Sequence, residues 1–387
     1  MASPIRLTII GSTGSIGEST LKVVDRYPDR LQVVGLATGR NLSRLIDQQR
    51  RYNPEAVAIA ESESHLPEGI MLGAGAIAEV AAWPSADVAV IASVGFTGVR
   101  PTLAAIAAGK KIALANKETL VAAGAVVVPA AAKAGVPIAP IDSEHSAIWQ
   151  CLRAGDSTEV KRLILTASGG PFRSRPLDTF DRITPAEALA HPTWKMGPRI
   201  TIDSATMMNK GFEIIEAAWL FGISPDSVDV VIHPQSIIHS MVEFQDGSVI
   251  SQMGIPDMTL PITYALFAPE RPPATVDVPR YQPSTQTPLE FFEPEPSRFP
   301  ALDIARAAFH LGTAGGAVLN AADEVAVAAF LEERLPFSRI ITLVEQVLNE
   351  HNALQQPSIA DIEDADCWAR KRAAELTGTV ASRVITS

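Results

Sequence analysis

Gly11-Ser-Thr-Gly14-Ser-Ile-Gly17 directly follows the β-branched run Ile5 to Ile10 and opens onto a helix-like stretch, Glu18 to Asp25. Glycines at that junction require a strand, a tight turn and a helix in immediate succession, because they leave room for backbone to approach closely where a side chain would block it. Leu31 to Ala37 is a second apolar strand, so the segment is a βαβ unit. In that context the turn presents backbone N–H groups at a helix N-terminus, the arrangement that receives a dinucleotide pyrophosphate; a plain glycine turn is the bland alternative.

The same alternation continues through strands Ala56 to Ala60 and Val88 to Ala92, helix Pro101 to Ala108, and strands Ile112 to Ala115 and Pro137 to Ile141. It predicts an α/β, mostly parallel, doubly wound sheet ending near residues 141–150. A chain of 387 residues exceeds the roughly 250 at which single cores stop growing, so more than one domain is expected. After Val160 the texture changes. Arg162 to Thr166 reads as a strand, and Ser168 to Pro198 as a long Gly-, Pro- and Thr-rich loop with a short helix at Pro185 to Leu189. Ala205 to Phe221 reads as one helix stopped by Gly222. Val228 to Ile232, Ser240 to Phe244 and Ser248 to Met253 suggest an antiparallel element. Proline-dense 268–300 reads as an extended spacer, and the Ala-, Leu- and Glu-rich remainder as helical. The expected division is 1–150, 151–267, a linker at 268–300, and 301–387.

A net charge of -11 argues against broad binding to nucleic acid or to an anionic membrane. Two cysteines, Cys151 and Cys367, give no disulfide framework and fit a reducing, cytoplasmic setting. Cys151 lacks activating neighbours and reads as core. No targeting signal is apparent near Met1, and the apolar stretch Val121 to Ile141 is broken by Pro129, Lys133 and Pro137, which favours buried helix and strand over a membrane span.

Where many dinucleotide sites carry an acid for the ribose 2′-hydroxyl, the sequence reads Leu36-Ala-Thr-Gly39-Arg40-Asn41. Without an acid there, Arg40 and Arg44 are suited to pair with a 2′-phosphate, which favours NADP; the alternative is solvated arginine. Asp142 and Glu144 end an apolar strand two residues apart, and strand periodicity would point both to one side. Converging carboxylates are costly without compensation, so either Mg²⁺ or Mn²⁺ or a solvated acidic loop explains them. Asn209, Lys210 and Glu213 share one helix face, as an anion and metal site or as a surface ion pair. Thr166-Ala-Ser168-Gly-Gly170 has the composition of a small anion nest, and His191, Trp194 and Met196 stand in the long loop as an apolar cap or as self-packing loop residues.

Six pieces in order carry a resemblance to the 1-deoxy-D-xylulose 5-phosphate reductoisomerase family. They are Gly11 to Gly17, Leu114-Ala-Asn116-Lys117-Glu118, Ile141-Asp-Ser143-Glu-His145, Ser168-Gly-Gly-Pro-Phe172, His191-Pro-Thr-Trp-Lys-Met-Gly197 and Asp203-Ser204-Ala-Thr-Met-Met-Asn209-Lys210-Gly211. The resemblance implies a Rossmann-like NADP-binding domain, a central α/β catalytic domain with a flexible loop, and a C-terminal helical domain. It implies rearrangement of a sugar phosphate carbon skeleton followed by hydride delivery from NADPH, in isoprenoid precursor biosynthesis by a homodimer.

On matching positions, Asp142, Glu144 and Glu213 would hold a divalent ion, Mg²⁺ or Mn²⁺ with Co²⁺ a third candidate, and Lys117 and His191 would join them in catalysis. Lys117, Ser143, Ser168, His191, Trp194, Met196, Ser204, Asn209 and Lys210 would contact substrate. Thr13, Gly14, Ser15, Ile16, Gly39, Arg40, Asn41, Asn116, Glu118 and Gly197 would line the NADPH site. Arg40 stands where the family pattern often has Lys, and Lys195 where a small residue is common. Two other readings are a semialdehyde or homoserine dehydrogenase-like oxidoreductase, which would need a nucleophilic cysteine in place of a metal triad, and a non-catalytic NADP-sensing protein, which turnover would exclude.

Overall fold

The computed structural model describes residues 3–378 except 63, 192–195, 275–277, 279, 286–287, 313 and 353–356. Short apolar runs pair as β1 (Ile5–Ile10), β2 (Leu31–Thr38), β3 (Ala56–Ile59), β4 (Ile70–Leu72), β5 (Val88–Ile91), β6 (Lys111–Leu114) and β7 (Ile138–Pro140). They form one sheet in the order β4-β3-β2-β1-β5-β6-β7, every pair parallel. Its strands are apolar on both faces because helices cover both. The crossovers are α1 (Ser15–Arg26), α2 (Leu42–Tyr52), α3 (Ala74–Ala81), α4 (Val99–Ala107) and α5 (Glu118–Ala134). Strand order runs outward in opposite directions from β1 and β5, so the crevice at their carboxyl ends is the topological switch point where ligands of such sheets bind.

Next come α6 (Ser143–Cys151), β8 (Val160–Ala167), α7 (Pro185–Ala188), α8 (Pro198–Thr206), α9 (Met208–Phe221), β9 (Val228–Ile232), β10 (Ile238–Phe244), β11 (Val249–Met253) and α10 (Thr259–Phe267). The second sheet has the order β11-β10-β8-β9. β10 runs antiparallel to β11, across the turn at Gln245 to Gly247, and to β8, whereas β9, expected in an antiparallel element, joins β8 in parallel. α10 follows this sheet in the chain but buries Ile262, Ala265 and Phe267 against the first sheet's core. The proline-rich stretch is not a free spacer. Phe292 exchanges backbone hydrogen bonds with Ile232 at 2.8 and 2.9 Å, and His233 Nδ1 donates to Glu290 O at 2.9 Å.

α11 (Ala301–His310), α12 (Gly315–Leu331), α13 (Arg339–Asn349) and α14 (Ile359–Leu376) complete the chain. They meet α9 on one side, where Met208, Phe212 and Ile215 join their core. On the other side Ile214 and Ala217 of α9 pack on the second sheet. α9 is therefore a central helix, and its apolar residues lie all round because it is buried all round. α12 crosses α5 so closely that a Cβ on Gly316 would lie 1.9 Å from Val121 O. Among the described residues, no helix is long and apolar enough to cross a membrane.

Candidate active site

The glycine turn is held by contact as well as by conformation. Gly11 has φ +87° and a Cβ there would lie 2.4 Å from Ala92 O, while a Cβ on Gly17 would lie 2.3 Å from Gly11 O. α1 starts at Gly14 with no side-chain cap, so its N-terminal end faces the crevice through Gly14, Ser15 and Ile16. Thr13 Oγ1 and Thr38 Oγ1 share a hydrogen bond at 2.5 Å, joining the turn to the end of β2. Asn116 braces the neighbouring strand ends, donating to Ser93 O at 2.9 Å, Gly95 O at 3.1 Å and Glu118 Oε2 at 2.9 Å.

The paired acids arrive differently from the strand expectation. β7 stops at Pro140, and Asp142 caps α6, its Oδ1 accepting from Ser143 N at 3.0 Å, with Glu144 in the first turn. The acids converge at a helix N-terminus, where the backbone dipole favours negative charge, and not through strand alternation. The other acids sit on α9, which is separate from α8: Met207 adopts φ 64° and splits the single helix expected over 205–221. That break lets Ser204, near the end of α8, and Asn209 and Lys210, at the start of α9, line the same cavity.

Two lysines knit the carboxylates together. Lys117 Nζ lies 2.5 Å from Asp142 Oδ2, donates to Glu213 Oε1 at 3.2 Å and to Asn209 Oδ1 at 2.9 Å. Lys210 Nζ donates to Glu144 Oε1 at 2.9 Å and Glu213 Oε2 at 2.5 Å. Asn209 Nδ2 donates to Glu213 Oε1 at 2.6 Å, and Ser143 Oγ to Glu144 Oε2 at 2.5 Å. The pair on one helix face is thus buried and is not a surface ion pair: Lys210 and Glu213 are 3% and 1% exposed. Burial alone would raise the Asp142 pKa, but the Lys117 ammonium holds it down to about 2. Burial and then the Glu144 charge push Glu213 up to about 7 against the pull of both lysines.

Buried oxygen donors that crowd like this fit a hard divalent cation, since an ion of charge two offsets repulsion that two ammoniums leave partly unmet. Asp142, Glu213 and His145 offer ligand atoms within 4.8 Å of one another; Glu144 is joined to Glu213 through Lys210. His145 is already occupied by Glu213 O at 2.9 Å and faces Glu216 Oε2 at 3.4 Å. The sequence reading assigned no role to His145 or Glu216; the i, i+3 spacing of Asp142 and His145 on α6 was the available signal.

Ser168 Oγ, His191 Nε2 and Ser204 Oγ form a chain at 3.0 and 3.2 Å, and burial lowers the His191 pKa, which leaves the ring neutral at pH 7. Ser168, His191, Met196, Gly197, Asn209 and Lys210 line one cavity of about 700 Å³ that also reaches Gly14, Ser15, Ile16, Lys117 and Glu118. Trp194 and Lys195 lie outside the described residues. Asn41 caps α2, accepting from Arg44 N at 3.1 Å, and Gly39 follows the end of β2. Cys151 is buried, and burial pushes its thiol up to about 11, which makes it a poor nucleophile, in keeping with its reading as core.

Two features were missed. Arg199 of α8 donates to Glu118 Oε1 at 3.2 Å, Glu324 Oε1 at 2.8 Å and Asn320 Oδ1 at 2.7 Å, tying the crevice to α12. Glu61, just past β3, pairs with Arg40 at 2.9 Å, so an acid does stand beside Arg40 near the end of β2, delivered by a different strand from the one inspected.

Comparison with known proteins agrees with this geometry along the chain. Residues 7–124 match the family described as 1-deoxy-D-xylulose 5-phosphate reductoisomerase, 138–221 its C-terminal domain, and 253–372 the DXP reductoisomerase C-terminal domain. The 1-deoxy-D-xylulose 5-phosphate reductoisomerase of Heliobacterium modesticaldum is 50% identical over 384 residues, covering 96% of this chain and 97% of its own. That of Pelotomaculum thermopropionicum is 51% identical over 378 residues, covering 94% and 96%. The Zymomonas mobilis enzyme in complex with NADPH superposes with a TM-score of 0.88 at 40% identity, covering 97% of this chain and 100% of that one. A DOX-P reductoisomerase in complex with NADPH, fosmidomycin and magnesium gives 0.88 at 36% identity, covering 97% and 98%. With half its residues shared with such relatives over nearly its whole length, and a glycine turn and acid cluster opening onto one cavity, the chain belongs to the 1-deoxy-D-xylulose 5-phosphate reductoisomerase family.

Proposed function

We infer that this protein converts 1-deoxy-D-xylulose 5-phosphate into 2-C-methyl-D-erythritol 4-phosphate with NADPH as reductant, a step of the non-mevalonate route to isoprenoid precursors. The observation that carries the reading is a single cavity reaching both the N-terminal end of α1 and the buried lysine–carboxylate cluster. A dinucleotide and a chelated sugar phosphate then lie side by side, as hydride transfer after a rearrangement demands.

The roles follow from chemistry and place. The turn at Thr13 to Ile16 receives the pyrophosphate, Gly39, Arg40 and Asn41 the adenosine side, and Asn116, Glu118 and Gly197 the nicotinamide side. A divalent ion held by Asp142, Glu144 and Glu213 supplies Lewis acidity to substrate oxygens when bound. Lys117 keeps its ammonium against Asp142 and Glu213 and aims it at the reacting carbons, while Ser143 orients Glu144 and contacts substrate. Ser168, Ser204, Asn209 and Lys210 take the phosphate, neutral His191 completes that end with a hydrogen bond, and Met196 excludes water. Anchoring the phosphate away from the reacting carbons lets binding energy fix their geometry.

We propose that residues 1–150 hold cofactor, 151–267 substrate and metal, and 301–387 close the site from outside, with 268–300 strapping the parts together. We also propose a homodimer. β11 is the outer strand of the second sheet and exposes Val249, Ile250 and Met253, an apolar edge that proteins ordinarily cover.

The test is direct. Purified protein with Mg²⁺ or Mn²⁺ and 1-deoxy-D-xylulose 5-phosphate should oxidise NADPH, followed at 340 nm (about the reduced nicotinamide maximum), and EDTA should stop it. Glu213→Gln should lose at least about a hundredfold in kcat while still binding NADPH. Wild-type turnover by that variant removes Glu213 from the site, and no turnover by the native protein with either ion defeats the reading altogether.

A further inference from the structure

Glu61 follows β3, and its backbone N–H donates to Gly39 O at 3.0 Å, so the third strand brings a carboxylate to the end of the second. Glu61 Oε2 accepts from both Nε and Nη2 of Arg40, each at 2.9 Å. The neighbouring guanidinium is held in another way. Arg44 is bidentate on Glu18 at 2.7 and 2.8 Å, and Gln48 donates to the same carboxylate at 2.7 Å and to Ser12 O at 2.9 Å. Gln48 is 4% exposed, so the Arg44–Glu18 pair is fixed to the base of the turn. Arg40 and Glu61 are 70% and 50% exposed in their side chains and are free to part.

The end of β2 therefore carries both chemical signatures that separate the two nicotinamide dinucleotides. A guanidinium suits a 2′-phosphate, and a carboxylate suits a 2′-hydroxyl, which can donate to it. A phosphate that recruits Arg40 must take it from Glu61 and then tolerate that negative charge nearby. A hydroxyl needs neither change. We propose that Glu61 sets the cofactor preference of this enzyme, weakening NADPH and supporting NADH, so that it discriminates less sharply than Arg40 alone would. The proposal rests on the reading above that Arg40 receives the 2′-phosphate.

Dissociation constants for NADPH and NADH, measured by nucleotide fluorescence on the full-length wild type, Glu61→Gln, Glu61→Ala and Arg40→Met, test both layers. Removing the charge in Glu61→Gln raises the NADPH preference about threefold, the scale of an exposed ion pair, chiefly by tightening NADPH. Glu61→Ala also loosens NADH, having no acceptor. Arg40→Met abolishes most of the preference. If Arg40→Met loses it while both Glu61 variants keep the wild-type ratio, the role of Glu61 is overturned and Arg40 stands. If Arg40→Met leaves the ratio unchanged, the phosphate assignment and the proposal fall together. Melting temperatures of the Glu61 variants within a degree or so of wild type exclude a folding defect, as their exposure implies.

Discussion

Asp203 and Asp323 face each other in the buried network around Arg199, whose Nε and Nη2 lie 3.6 and 3.5 Å from them. Burial first, against the pull of Arg199, pushes Asp323 up to about 6, and Asp203 is raised as well by burial and by Asp323. The fold therefore binds a proton here more tightly than the unfolded chain does, whose aspartate titrates near 3.8. The sign follows: this stabilisation is complete below about pH 4 and disappears as pH rises through about 6. Asp323→Asn cannot ionise and escapes the loss, so its melting temperature relative to wild type should increase from pH 4 to pH 7, by the equivalent of roughly 2 kcal/mol. A difference that stays flat across that range would show that the pair does not titrate in the window. The sequence disclosed the acids proposed to hold the metal better than this network. Asp142, Glu144 and Glu213 fall in short segments dense with chemistry, whereas Arg199, Asn320 and Glu324 stand in no recognisable motif and only the fold brings them together.

The elements were legible where pattern and context agreed, as in β1, α1 and β2, and the hairpin β10–β11. They were misread where tertiary packing overrides local preference. Ala-Thr-Met-Met is good helix-forming sequence, and nothing in it announces that Met207 will turn left-handed; the strain, of order 1–3 kcal/mol, is met by burying that side chain beside the second sheet. Asp142 and Glu144 were placed on a strand because the apolar run before them has strand character, yet the same residues form a good helix start: an Asp cap and an acidic first turn. Helix contact makes its own prediction. Gly316→Ala puts a methyl group where Val121 O stands, which should separate α12 from α5 and destabilise by about 1–3 kcal/mol, read as a lower denaturation midpoint. An unchanged midpoint would mean the two helices slide apart without cost.

At the scale of the whole molecule, the C-terminal helices are part of the reaction chamber, with Glu324, Val327 and Leu331 of α12 in the same cavity wall as Lys117. Sequence texture marked this region as helical but gave no sign of where the helices return, since contacts across more than a hundred residues leave no local trace. The outer edge at β11 bears on assembly. If the proposed homodimer forms through this edge, Ile250→Lys should leave monomers, measured as a halved mass in light scattering relative to the native protein; a native dimer that survives the charge would place the interface elsewhere. α9 is clamped between a sheet and a helical bundle while carrying Asn209, Lys210 and Glu213, the groups proposed to hold phosphate and metal. A helix so enclosed has no idle side on which change is harmless. In a saturation library, nearly every position from 208 to 218 should therefore be intolerant, some through lost chemistry and the others through lost packing. An inhibitor anchored on Lys210 and Glu213 would leave the protein few routes of escape through that helix, and resistance would have to come from residues that line the cavity elsewhere.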